Sequence, residues 1–169
     1  MLKHTADIKT LFFLLLSFWS YQTYWYNFEN YFWFIIVSLQ SFQMSVIVHN
    51  CAHTHPFKYK IFNDIFLVIL TLLSGSPTSL YVPGHNESHH VHLETDKDMM
   101  RTTRMKYKSE FLNLVLFAPS VIPDIVKNDG AYMFKQYQKN SILFYRYMTE
   151  TVVYHVFILT LFLHNFKKT

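Results

Sequence analysis

The chain has 169 residues, a formal net charge of +4 and a single cysteine. Of its residues 51% are hydrophobic, 19% are aromatic and only 15% are charged, a composition that is apolar for a soluble domain. The lone Cys51 excludes an intramolecular disulfide framework, and the basic residues form no single patch that would indicate nucleic-acid binding.

Two uncharged apolar runs near the N-terminus predict a pair of transmembrane helices. They are Leu11–Tyr26 and Tyr31–Val48, joined by the short connection Asn27–Asn30. Each approaches the roughly 20 apolar residues that cross the hydrocarbon core as a helix. Aromatic residues crowd the ends next to the connection, as in an interfacial belt. The loops that carry most of the histidines are instead flanked by basic residues, so the positive-inside rule predicts that these loops are cytoplasmic. The basic residues are Lys58, Lys60, Lys97, Arg101, Arg104, Lys106 and Lys108.

The third apolar run, Ile65–Val82, carries Gly75 and Pro77 among small polar residues. Gly and Pro break a regular helix and are typical of a re-entrant or interfacial stretch that packs on protein. A single crossing would also separate the histidines before this run from those after it by about 30 Å. We therefore predict that the run does not span the membrane.

The second half of the chain contains one broken apolar run and one long one. Phe111–Val126 is interrupted by Pro119 and Pro123, and we interpret it as an amphipathic segment on the membrane surface. Lys127–Asn140 is predicted to be a polar link. Ile142–Leu163 is the last candidate span.

This last run carries Arg146 and Glu150 one helical turn apart, the spacing of an ion pair. If it leaves the cytoplasm, it places Lys167 and Lys168 outside, against the charge rule, which favours a chain cut before its natural return. Together the segments predict an all-α integral membrane protein with about three transmembrane helices plus re-entrant or interfacial cytoplasmic helices. A bacterial inner membrane and an endoplasmic reticulum membrane both stay open.

Seven of the ten histidines lie in two short clusters. The first is His49-Asn-Cys-Ala-His53-Thr-His55 and the second is His85-Asn-Glu-Ser-His89-His90-Val-His92. Histidines four residues apart project from one face of a helix and can share a metal. His90 would point about 100° away from His89, towards a second metal. The pattern favours a two-metal centre.

A zinc hydrolase is the main rival for this spacing. Zinc proteases with a His-x-x-x-His motif need Glu directly after the first His as general base. Asn50 and Asn86 occupy that place here, and Glu87 comes one residue late. A structural zinc site would favour more cysteine than Cys51 alone. Zinc chemistry therefore fits poorly.

The two clusters together resemble histidine boxes of a known family. Val48-His-Asn-Cys-Ala-His-Thr-His-Pro-Phe57 and Val82-Pro-Gly-His-Asn-Glu-Ser-His-His-Val-His92, followed by Asp98-Met-Met-Arg-Thr-Thr103, are similar to the first two boxes of the membrane fatty acid desaturase/hydroxylase superfamily. The resemblance covers roughly residues 10 to 165. It implies two iron ions in a non-haem di-iron centre, O₂ as co-substrate and an acyl-chain lipid substrate among membrane lipids. It also implies electrons from a ferredoxin or a cytochrome b-type carrier.

The resemblance implies five iron ligands, namely His49, His53, His85, His89 and His90. His55 and His92 fall outside the usual box positions and are kept as additional candidate ligands. The same comparison implies that Asn50, Asn86 and Asp98 orient ligands, a role common around metal sites. His155 and His164 are expected to be packing or interfacial residues, and His4 a free terminal residue.

The third histidine box of the superfamily, His-x-x-His-His, is absent from this chain. Residues 1–169 are therefore expected to be a partial fatty acid desaturase domain, an N-terminal fragment that lacks part of the ligand set. We predict that its parent is an O₂-dependent acyl-lipid desaturase, an oxidoreductase of lipid metabolism. A lipid, sterol or alkane hydroxylase of the same superfamily and a catalytically inactive membrane fragment are the alternatives.

Overall fold

The computed structural model describes residues 2–27, 29–98 and 100–166. The regular secondary structure of these residues is helical and includes no strand, only an isolated antiparallel bridge between Leu2 and Phe57. The all-α prediction is confirmed. Lys167 and Lys168, on which the orientation of the last run depends, lie outside the described residues.

The chain divides into two compact units. The first comprises the described part of Met1–Thr78 and Thr149–Thr169, and the second comprises the described part of Ser79–Met148. The last helix begins in the second unit and continues into the first.

The first unit is built from α1 (Ile8–Tyr26), α2 (Tyr31–His53), α3 (Lys60–Ser74) and most of α6 (Ile142–Phe166). The first two helices lie where the sequence predicts them. The Asn30 side chain caps the start of α2 by accepting a hydrogen bond of 3.0 Å from the Phe32 amide. α2 then runs past Val48 and ends at His53, so His49 and His53 of the first histidine cluster are part of this helix.

Polar side chains join the apolar helices of the first unit. Ser17 is fully buried and donates to the side-chain carbonyl of Gln40 over 3.0 Å. The Tyr21 hydroxyl contacts the Ser41 hydroxyl and donates to the backbone carbonyl of Leu73 over 3.1 Å. Small residues let helices approach closely, and hydrogen bonds between helices stabilise them where lipid supplies no alternative partner.

α3 ends at the position where the sequence predicts a break. Gly75 adopts a left-handed conformation (φ +80°) that a residue with a side chain rarely takes, and Pro77 follows it. A short 3₁₀ turn, Thr78–Leu80, comes next. The Thr78 hydroxyl donates to Glu150 of α6 over 2.8 Å, and Glu150 is fully buried.

The second unit contains a π-helix (Val82–His89), the single turn α4 (His90–His92), a 3₁₀ turn (Thr102–Arg104), the long helix α5 (Glu110–Gln138) and the start of α6. The predicted polar link over Lys127–Asn140 is wrong, because α5 continues to Gln138. It also contains Pro119 and Pro123. Val121, Asp129 and Met133 are buried along one side of α5, and such packing overrides weak local propensity.

Membrane crossing has partial support from the helices. Among the described residues, Tyr31–His53 is the one helix long and apolar enough to cross a membrane, judged by length and composition. Lys60–Ser74 passes the same test only when it is counted together with the helical stretch Thr78–His92. The count of about three spans stays a prediction.

Candidate metal centre

Two histidines of the first cluster, His49 and His53, lie in the last turns of α2. The rings of His49 and His53 have centroids 5.1 Å apart, and ligand nitrogens of the two lie within 4.8 Å of each other. His49 is half-buried and His53 is exposed. The prediction that these two imidazoles share a helix face is confirmed. The negative end of the helix dipole falls here too, which favours a bound cation.

His85 and His89 of the second cluster lie in a π-helix, and His90 follows directly after it. The sequence did not predict this π-helix. Its hydrogen bonds close over five residues, so the His90 amide donates to the His85 carbonyl. The five-residue repeat aligns these side chains, and their Nε2 atoms lie 3.0 Å apart. The direction predicted for His90, about 100° away from His89, assumed α-helical spacing and did not include this approach to His85. His85 is buried and His90 is exposed.

The ring of His89 is hydrogen-bonded to the carboxylate of Asp98. Its Nδ1 lies 2.8 Å from Oδ2 of Asp98, which is only 3% exposed. Asp98 also accepts backbone hydrogen bonds from Glu94 and Met100. Burial alone would raise the pKa of Asp98, but the amides of Glu94 and Met100 and the His89 ring outweigh it and hold this pKa below its ordinary value. An ionised Asp98 fixes a proton on Nδ1 and leaves Nε2 of His89 available as a ligand.

The loop behind the second cluster is organised by Glu94, which the sequence analysis missed. Its carboxylate accepts hydrogen bonds from the Thr102 amide and hydroxyl, at 3.1 and 3.0 Å, and from the Thr103 hydroxyl at 3.4 Å. These bonds lower the pKa of Glu94 from its ordinary value, the Thr102 amide contributing most. They close the segment that carries Asp98. The threonines of the quoted Asp98–Thr103 motif were the available signal.

Tyr132 of α5 is a second residue that the sequence did not single out. Its hydroxyl donates to Glu87 of the π-helix over 2.9 Å. Burial, followed by the adjacent Glu87 carboxylate, raises the pKa of Tyr132 to about 12. The phenol therefore stays a hydrogen-bond donor at neutral pH. The partners are 45 residues apart in sequence, so no local pattern connects them.

The remaining histidines lie elsewhere in the two units. His55 follows the end of α2 and is half-buried, whereas His92 lines a cavity of about 260 Å³ beside Glu87 and Tyr132. His155 bonds the Thr151 carbonyl at 2.7 Å, and His164 stacks on Trp25, as expected for packing residues. His4 starts the first 3₁₀ turn and donates from its amide to Asp7.

The described residues thus form a helical protein with an imidazole pair in each unit and a carboxylate beside a neighbouring imidazole, side chains that could hold a metal ion. The fatty acid desaturase family model matches residues 25–167, and the chain belongs to this family. The family is membrane-associated and comprises oxidoreductase-type enzymes that use metal. A search of curated proteins and a search of solved structures each find no match.

Proposed function

We propose that this chain is part of an O₂-dependent acyl-lipid desaturase whose non-haem di-iron centre is ligated by histidine. The observation that carries the proposal is the second box, where His85 and His90 approach within 3.0 Å and Asp98 orients His89. This arrangement falls inside the region matched by the desaturase family.

The residues fit iron by their chemistry. Neutral imidazole is a suitable ligand for iron, and clustered ring nitrogens with few competing charges favour a divalent cation. We propose His49, His53, His85, His89 and His90 as the ligands that this chain contributes, with His55 and His92 as further candidates. When bound, the irons supply the activation of O₂ and the removal of hydrogen from the acyl chain.

The surrounding residues then have specific tasks. Asp98 holds the proton on Nδ1 of His89, which directs Nε2 of that ring outwards. Glu94 closes the loop that carries Asp98, and Tyr132 ties the π-helix to α5 through Glu87. A ligand set fixed in this way loses little conformational freedom on binding metal.

The electron balance of desaturation requires a partner. Removing two hydrogen atoms from an acyl chain supplies two electrons, whereas reducing O₂ to two waters consumes four. A one-electron carrier must therefore supply two electrons per turnover. We propose a ferredoxin or a cytochrome b-type protein for this role, at the cytoplasmic face where the charge bias places the histidine boxes.

Hydroxylation is the second candidate, because it begins with the same hydrogen abstraction and uses the same type of centre. The two reactions differ in their product, a double bond or a hydroxyl group on the acyl chain. Mass spectrometry of acyl chains after incubation with O₂ and a reduced carrier separates them. A product with incorporated ¹⁸O from ¹⁸O₂ would replace the desaturase proposal by the hydroxylase.

Iron content is tested on the purified full chain. We expect bound iron, lowered by His85→Ala and unchanged by the matched variant His155→Ala, because His155 is engaged in α6. Iron absent from the chain, or iron insensitive to His85→Ala, would favour the catalytically inactive alternative. Two irons per chain held by these ligands alone would contradict the expected partial ligand set.

A further inference from the structure

An exposed apolar stripe runs along the first half of α5. It consists of Phe111, Leu114, Val115, Ile122 and Val126, and the first two are 70% and 75% exposed. Spacings of three, four and seven residues put these side chains on one side of a helix. A contiguous exposed apolar surface marks a site of interaction with a protein or a membrane.

The opposite side of the same half-helix is polar. It carries Asn113, Ser120, Asp124 and Lys127, which follow one another at helical spacing. Asp124 forms an ion pair of 2.6 Å with Arg104 of the preceding loop. This half of α5 is therefore amphipathic, the pattern of helices that lie in the plane of a membrane surface.

Two lysines, Lys106 and Lys108, are held at the N-terminal end of α5. The Tyr107 amide donates to Asn113 over 2.9 Å, and the Asn113 side chain donates back to the Tyr107 carbonyl over 3.0 Å. This double hydrogen bond fixes the segment that contains the exposed Lys106 and Lys108 against the first turns of α5. Glu110 is the nearby acidic residue of that first turn, so the cluster keeps a net positive charge.

We propose that the first half of α5 docks on an anionic phospholipid surface. The stripe lies at the boundary between headgroups and acyl chains, and Lys106 and Lys108 contact lipid phosphates. The charge of the two lysines, adjacent to apolar side chains, complements anionic headgroups. The proposal rests on the membrane association of the family and is independent of the iron chemistry, so iron content measured on the same samples separates the two.

The test uses the full chain in lipid nanodiscs, with a nitrobenzoxadiazole label on Val115→Cys. Native Cys51 is only 4% exposed, so the introduced thiol is the accessible one, and the unsubstituted chain measures background labelling. The matched label site is Lys127→Cys on the polar side. Discs contain phosphatidylcholine alone or with phosphatidylglycerol, and the readouts are the emission maximum and the fraction of label reduced by dithionite.

We expect the label at residue 115 to be shifted to the blue and protected in discs with phosphatidylglycerol, while the label at residue 127 stays accessible. Lys106→Glu/Lys108→Glu should lower the ratio of protected to accessible label by at least about 5-fold, since one lysine near an anionic surface contributes about that factor. Lys135→Glu/Lys139→Glu, the same charge change at the far end of α5, should leave the ratio unchanged.

An accessible label at residue 115 in both lipids would overturn the proposal, as would equal protection with and without phosphatidylglycerol. Protection that rises with the number of chains per disc, independently of lipid charge, would assign the stripe to a protein partner instead. The comparison of lipids needs no lysine variant, so it stands even if the charge reversal disturbs folding. Lys106→Gln/Lys108→Gln then tests the lysines with a milder change.

Discussion

The Nε2 atoms of His85 and His90 lie 3.0 Å apart because the helix that carries them closes its hydrogen bonds over five residues. The rings of His85 and His89, the pair that α-helical spacing also brings together, stack with centroids 5.8 Å apart. π-helical turns are rare in proteins, and many of those that occur lie at functional sites. The π-helix therefore brings His90 close to the pair of His85 and His89.

This pairing predicts different consequences for substitutions of His85 and of His155. We expect His85→Ala to lower the affinity for a divalent transition metal by at least the 10–100-fold that loss of a ligand's hydrogen-bonding partner costs. His155→Ala should change it little, because His155 bonds the Thr151 carbonyl of its own helix. Titration of the metal-free full chain with Co²⁺, followed by absorbance, measures both. Equal losses in the two variants would contradict the pairing.

The bond between Asp98 and His89 predicts an effect on metal affinity through orientation. Asp98→Asn removes the carboxylate that holds the proton on Nδ1, so we expect affinity to fall by about 10–100-fold. Asp96→Asn is the matched control, because Asp96 lies two residues away, exposed, and pairs with Arg101. The same Co²⁺ titration applies. If both variants retained the affinity of the parent chain, Asp98 would have no positioning role.

Much of the first unit follows from the sequence. Uncharged apolar runs predict α1 and α2 because a helix satisfies its own backbone within an apolar environment. The break after α3 follows from Gly75, whose positive φ few other residues adopt. Shared helical spacing likewise predicts that the rings of His49 and His53 meet. These features depend on neighbours in sequence.

The second unit shows what local patterns leave out. The π-helix has no clear signal in the sequence Val82–His89, and it contacts α5, which is distant along the chain. The prolines of α5 suggest an interruption, yet burial of Val121 and Met133 keeps the helix continuous. Tyr132 and Glu87 meet across 45 residues, a contact that only the tertiary fold creates. The orienting place of Asp98, by contrast, was anticipated from family resemblance.

Burial of the Asp129 carboxyl group predicts that the free energy of unfolding depends on pH. Burial raises its pKa from 3.8 to about 6, and its Oδ1 has no hydrogen-bond partner in the described structure. The folded chain binds this proton more tightly than the unfolded chain. Protonation of Asp129 therefore adds to the free energy of unfolding in full below pH 3.8, and this gain is lost as pH rises through about 6. Ionised Asp129 therefore destabilises the fold at neutral pH.

Asp129→Asn should accordingly stabilise the chain at pH 7.5 by on the order of 1–2 kcal/mol after allowance for solvent screening. The gain should shrink as the pH approaches 4. Urea unfolding in detergent micelles at several pH values measures it, with exposed Glu110→Gln as control. A gain that does not depend on pH would point to packing of the amide and contradict the titration argument.

The bond between Thr78 and Glu150 predicts a loss of stability in the first unit. Thr78→Val keeps the shape but removes a donor to a fully buried carboxylate, so we expect a cost of roughly 1–3 kcal/mol. Thr78→Ser retains the hydroxyl and should cost less. Thermal unfolding followed by circular dichroism compares the two. A Thr78→Val variant as stable as the parent chain would mean that the bond from the Thr78 hydroxyl to Glu150 contributes nothing to the stability of the fold.

The apolar surface of α2 predicts a defect in membrane insertion. Leu39 is 60% exposed near the middle of this candidate span, and a lysine at the centre of a spanning helix costs about 2.5–3.5 kcal/mol on insertion scales. We expect Leu39→Lys to shift the segment from inserted to translocated in a glycosylation-based insertion assay. Tyr31→Lys, at the helix end where a long side chain reaches the interface, should insert almost normally. Because both variants add the same charge, similar behaviour of the two would mean that α2 does not cross the bilayer.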